Sequence, residues 1–139
     1  MEPFPRTAHT PLVRTAFGDE AGWRDLLAEI ARESPDGFRA HVSTIEDRSL
    51  AGARPEDLAI AAAAIREHAI LLVADERAME VGDGTLLAVR IAAPFPMFRV
   101  ARAALWMVEN NLSIGNLDFA DFVGALESDG VFRDFPYPN

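Results

Sequence analysis

Residues 69–74 read AILLVA and run straight into Asp75. A short, unbroken apolar run bounded by a charge is the pattern of a strand covered on both faces. A strand of that kind calls for helices above and below it, and its flanks supply them. Upstream, Pro55 suits the first turn of a helix, and Glu56 and Asp57 suit the positive end of its dipole. Leu58, Ile60, Ala61 and Ile65 continue that helix towards His68, which is expected as a cation at its C-terminus.

Further upstream, residues 46–54 form a polar loop. Residues 38–45 alternate, with Phe38, Ala40 and Val42 on one side and Arg39, His41 and Ser43 on the other. That alternation predicts a half-buried strand near a sheet edge. The cluster Ser34, Pro35, Asp36, Gly37 is a turn that ends an earlier helix. Asp19 caps the start of that helix, and Ala21, Trp23, Leu26, Leu27, Ile30 and Ala31 give it one apolar face. Residues 12–17 read as a first strand between Pro11 and Gly18.

Downstream of Asp75, Gly82, Asp83 and Gly84 make a tight turn into a strand over residues 85–91. Pro94 and Pro96 break the chain. Short strands are expected at residues 98–101 and 112–114, with a helical turn or two over 102–109 carrying Leu105 and Trp106 inward. Asp118 opens a last helix over 119–127, Gly130 suits a left-handed cap, and residues 131–135 close the fold.

Strand and helix alternating in the first half predict parallel units with right-handed crossovers. The expected fold is α/β: a single domain with a mixed, mostly parallel sheet of about five strands and helices on both faces. Its boundaries are a flexible N-terminal arm over residues 1–10, one α/β domain over 11–135 and a tail over 136–139.

Composition narrows the function. Half of the 139 residues are apolar, enough for one closed core. The net charge is −9 with no basic run, so nucleic acid and membrane surfaces are poor partners. There are no cysteines, which removes disulfides, thiolate metal sites and a thiol nucleophile and suits a cytoplasmic location. The N-terminus carries no apolar run after its charges and is not expected to be a secretory signal. All 13 basic residues are arginine. Schiff-base, pyridoxal and Walker-type chemistry each need a lysine and are excluded.

Motif chemistry is sparse. His9, His41 and His68 show no close metal-ligand spacing, so no metal is expected, and no cofactor motif is present. Gly18, Asp19 and Glu20 place carboxylates where a dinucleotide phosphate would sit. Asp19, Asp47 and Asp75 fall just past proposed strands, where α/β proteins collect ligands. Helix capping and solvated loops account for all three. No serine stands in a nucleophile elbow.

The densest polar segment is VENNLSIGNLDF, residues 108–119. Amides and carboxylates at that density are costly to bury unless paired. In the functional reading, Glu109 is an acid or base against Trp106, and Asn110, Asn111, Ser113 and Asn116 orient a polar ligand. In the structural reading, Asn111 ends a helix, Asn116 makes an Asx turn and Asp118 caps the next helix. That accounts for three of the six polar residues and leaves Glu109, Asn110 and Ser113 open.

The same segment resembles an uncharacterised bacterial domain-of-unknown-function family. The resemblance rests on Leu105 and Trp106, VENNLSI at 108–114, Asn116, Asp118, Phe119, Phe122 and DGVFR at 129–133. Residues 38–40 and 70–75 fit it more loosely, and 92–97 depart from it. It implies a small, single-domain cytoplasmic protein and brings no catalytic residue with it.

Two functions are therefore weighed. The preferred one is a non-catalytic binding or protein-interaction module whose partner is a protein or a small molecule, using the acidic surface or a patch of Phe95, Met97 and Phe98. The alternative is a cofactor-free, metal-free enzyme acting on a small organic molecule, with Glu109, Asp118 or Asp75 as acid or base and Trp106, Asn110, Asn111, Ser113 and Asn116 as binding residues. A concave pocket holding a desolvated carboxylate favours the second, and a flat patch favours the first.

Overall fold

A computed structural model describes residues 4–136. It holds one six-stranded mixed sheet in the order β2-β1-β3-β4-β5-β6. The strands are β1 (Thr10–Arg14), β2 (Val42–Ile45), β3 (Ile70–Ala74), β4 (Thr85–Arg90), β5 (Met97–Ala101) and β6 (Val131–Phe132). Strand β1 pairs in parallel with both β2 and β3. Strand β4 is antiparallel to β3 and β5, and β6 returns parallel to β5. The helices are α1 (Glu20–Ile30), α2 (Pro55–Ala63), α3 (Leu105–Ser113) and α4 (Phe119–Val123).

The continuous apolar run is explained by the strand period of two. In β3, Ile70, Leu72 and Ala74 enter one core with Trp23 and Leu26 of α1, Leu105 and Val108 of α3 and Phe122 of α4. Leu71 and Val73 enter a second core with Leu58, Ala59 and Ala62 of α2. Both faces are covered, so all five residues of β3 are buried. The chain steps from β1 to β2 in one direction and from β2 back past β1 to β3 in the other. Crossovers of one hand running in opposite directions put α1 and α2 on opposite faces.

Asp19 caps α1, accepting from Gly22 N–H at 2.8 Å. The expected arm meets the core: Phe4 is buried in the α2-side cluster and Thr10 already belongs to β1. Residues 1–3 of that arm and 137–139 of the tail lie outside the described residues.

Several expected elements have different bounds. Strand β2 starts at Val42 instead of residue 38, and it is an edge strand as expected. Helix α2 stops at Ala63, and Arg66 adopts a left-handed φ of 52°. His68 therefore stands in the connection to β3 and not at a helix end. Residues 112–114 are not a strand, because α3 runs through Ser113. Leu105, Val108 and Leu112 recur at helical spacing and are all buried. The last helix is short, ending at Val123. No helix among the described residues is long and apolar enough to cross a membrane.

Candidate functional site

Parallel pairing puts the amino ends of β1, β2 and β3 side by side. Thr10 lies opposite Val42, and Leu12 lies opposite Leu72. A histidine precedes each of these strands: His9 before β1, His41 before β2, and His68 two residues before β3. The three histidines of the sequence, far apart along the chain, thus line one pocket of about 520 Å³. Helix α3 contributes Glu109, Asn110 and Ser113 to its wall, and Ala8 and Ile114 add apolar surface.

Glu109 sits on the buried face of α3 and is 3% exposed. Its Oε1 accepts the His41 backbone N–H at 2.7 Å. Its Oε2 accepts the Thr10 hydroxyl at 2.9 Å and is also hydrogen-bonded by Ser113, one helical turn on. Three donors, from β1, from the residue before β2 and from α3 itself, make the burial tolerable. They also bind α3 to the amino ends of β1 and β2. Ser113 gives its proton to a carboxylate and not to an imidazole, so these residues do not form a nucleophile–base pair.

The imidazoles differ from one another. His9 and His41 are exposed, with ring centroids 5.9 Å apart and planes tilted by 43°. Among the described residues, their hydrogen bonds use backbone atoms alone, so both rings have uncommitted nitrogens. His68 Nε2 lies 3.1 Å from both the Thr7 carbonyl and the Thr7 hydroxyl oxygen. The carbonyl can only accept, and the Thr7 hydroxyl donates to the His9 carbonyl at 2.7 Å. His68 Nε2 must therefore donate, which leaves Nδ1 with the lone pair in the neutral ring. Among the described residues, no three histidine or acidic side chains stand close enough together to hold one metal ion.

The remaining candidate residues are placed elsewhere. Trp106 packs against the α1-side core and stacks on Phe38 at 5.3 Å. Asn111 lies within α3 instead of ending it, and donates to the Met107 carbonyl at 2.7 Å. Asn116 donates to the Asn111 side chain at 2.9 Å, and Gly115, not Asn111, adopts a left-handed φ of 71° just past the helix. Asp118 and Asp121 form the capping box of α4, Asp118 N–H donating to Asp121 at 2.8 Å. Of the expected set, only Glu109, Asn110 and Ser113 meet at the pocket. They are the three that turn chemistry left open.

The opposite end of the sheet holds a crevice of about 680 Å³ between the carboxyl ends of β1 and β3, lined by Thr15, Phe17, Gly52, Pro55 and Asp75 among others. Here polar groups are consumed by structure. Asp47 accepts from Ser49, whose hydroxyl and backbone N–H hold its carboxyl below the ordinary value. Asp75 accepts from Ala78 N–H at 3.2 Å and from Arg99 Nη1 at 2.9 Å. Arg14, its side chain 2% exposed, lies 2.8 Å from Glu20 and 3.3 Å from Glu46, with its guanidinium over Phe17 and Trp23.

The sequence hides the histidines because its first apolar run begins at Leu12 and its alternation at Phe38, which leaves His9 in an arm and His41 inside a strand. The available signal was a histidine just ahead of each of three runs: TPLV, VSTI and AILLVA. Residues 9–135 match a family described as Domain of unknown function (DUF6924). No curated protein and no solved structure matches the chain.

Proposed function

The chain belongs to this domain-of-unknown-function family, and we propose that this member binds a small organic molecule in the amino-end pocket. The observation that carries the reading is the buried, three-fold hydrogen-bonded Glu109 at the meeting point of β1, the start of β2 and α3. A carboxylate so engaged builds and holds a site. Around it stand imidazoles with free nitrogens and an amide, beside an apolar wall that includes Ile114, 78% exposed. A concave lining of apolar surface with a few polar groups is the usual form of a small-molecule site. Among the described residues, the lining holds one carboxyl group, that of Glu109, and no arginine. This favours a neutral or cationic ligand over an anion.

A second reading, acid–base catalysis on such a molecule, is favoured by one observation. Imidazoles with uncommitted nitrogens flank a desolvated carboxylate. In that reading His9 or His41 moves the proton, because the Glu109 oxygens already accept three hydrogen bonds.

The three histidines make the test direct, since each imidazole Cε1–H signal in an NMR spectrum reports on the pocket. Benzamide and benzylamine are titrated, with benzoate as the anionic control. The expected result is joint movement of the three signals with benzamide or benzylamine, weak or no response to benzoate, and loss of the response in Ala8→Trp, which fills the pocket from an exposed position. The reading falls if neither neutral nor cationic probe moves these signals, or if Ala8→Trp leaves the response intact.

A further inference from the structure

We propose that the amino-end pocket binds a divalent transition-metal ion of borderline softness, such as Zn²⁺ or Ni²⁺, through the imidazoles of His9 and His41. The inference rests on the reading of this pocket as a binding site and names an ionic ligand for it.

The donor chemistry comes first. Neutral imidazole nitrogen is a preferred ligand for zinc, nickel and copper, and a poor one for magnesium or calcium. The ring centroids of His9 and His41 are 5.9 Å apart, and among the described residues no protein group is hydrogen-bonded to a nitrogen of either ring. An ion about 2 Å from one nitrogen of each ring spans a separation of this size. The pair is also well supported from behind. The His41 backbone N–H is held by Glu109 and the His9 backbone N–H by the Ser43 hydroxyl at 3.1 Å. The backbones that carry the two rings are thereby fixed at neighbouring strand ends, while the exposed rings remain free to rotate onto an ion.

Electrostatics gives the sign. The chain carries −9, the Glu109 carboxylate lies in the lining, and no arginine lines the pocket among the described residues. A cation is drawn to such a cavity and an anion is not. His68 lines the same pocket and donates Nε2–H towards the Thr7 carbonyl. This hydrogen bond commits His68 to the Thr7 segment, and the ion is left to His9 and His41. Two protein ligands leave the ion with open positions for water or for the organic molecule.

The test is isothermal titration calorimetry of the full chain with ZnCl₂ and NiCl₂, with MgCl₂ as control, alongside the imidazole NMR signals. Expected are one bound Zn²⁺ or Ni²⁺ per chain, no response to Mg²⁺, and weakening of roughly tenfold or more in each of His9→Ala and His41→Ala. Both substitutions are at exposed side chains, and His41→Ala keeps the backbone N–H that Glu109 accepts, so unchanged unfolding curves verify that the variants are folded. The proposal is overturned if neither Zn²⁺ nor Ni²⁺ binds, or if binding persists undiminished in the double variant, which assigns the ion to carboxylates elsewhere. Organic probes that bind while Zn²⁺ and Ni²⁺ do not remove this inference and leave the small-molecule reading standing. Failure of the organic probes with His-dependent Zn²⁺ binding does the reverse.

Discussion

The two ends of the parallel half of the sheet use polar residues in opposite ways. At the carboxyl end, every acid expected to matter is committed. Asp19 caps α1, Asp47 accepts from Ser49, Asp75 holds the turn of Glu76–Met79 and Arg99, and Arg14 is enclosed by Glu20, Glu46 and two aromatic rings. At the amino end, one acid is committed so that other groups need not be: Glu109 gathers three donors, while the His9 and His41 rings keep free nitrogens. The fold-level rule for α/β sheets points to the carboxyl end, and a crevice exists there. The side-chain chemistry points to the amino end. Function resides in the site and not in the architecture, so the second pointer outweighs the first.

The largest effect is expected from Arg14→Ala. It removes a buried guanidinium with two acidic partners, a hydrogen bond to the Ala16 carbonyl and two ring contacts. Glu20 and Glu46 are half exposed and stay hydrated, so the loss is chiefly packing, about 3 kcal/mol by urea unfolding. The three imidazole signals should not move. Movement would mean that the ends are coupled and the contrast is too simple.

Next is Glu109→Gln, which leaves the side-chain volume but turns one acceptor into a donor facing existing donors. A loss of about 2 kcal/mol is expected, with a shift of the imidazole signals. An unchanged unfolding midpoint would show that the three hydrogen bonds contribute nothing.

A smaller loss, about 1 kcal/mol, is expected for Asp75→Ala, which removes the cap of a short turn and the partner of Arg99. Binding of probes at the amino end should be unaffected. Impaired probe binding would return Asp75 to the site.

Asp129→Asn is expected to have the least effect and calibrates an exposed pair. The Arg133 guanidinium hydrogen-bonded to Asp129 holds its carboxyl below the ordinary value of 3.8. A lowered native value means the carboxylate stabilises above the unfolded value and loses that contribution as pH falls through the native one. The small difference between wild type and variant, present at pH 7, should shrink below about pH 4. Melting temperatures at the two pH values check this, and a difference that grows on acidification contradicts the assignment.

Much of the architecture was legible because burial imposes a period. AILLVA is apolar throughout since both of its faces are covered, and α1 was readable from its cap and its one apolar stripe. The end of α3 was misread because polar residues at 109–113 masked the helical spacing of Leu105, Val108 and Leu112. Glu109, left open by turn chemistry, is buried and paired, and nothing in its own segment identifies its distant partners. Two of them, Thr10 and His41, are 99 and 68 residues away in the chain.

The amino-acid sequence by itself determined the α/β class, the helix caps at Asp19 and Asp118, and the exclusion of thiol and lysine chemistry. Each follows from composition or from spacing within a few residues. Only the tertiary structure decided that the histidines share a pocket with Glu109. Their meeting depends on which strands lie side by side and in which direction they run, and such long-range pairing leaves no periodic trace around any one of them.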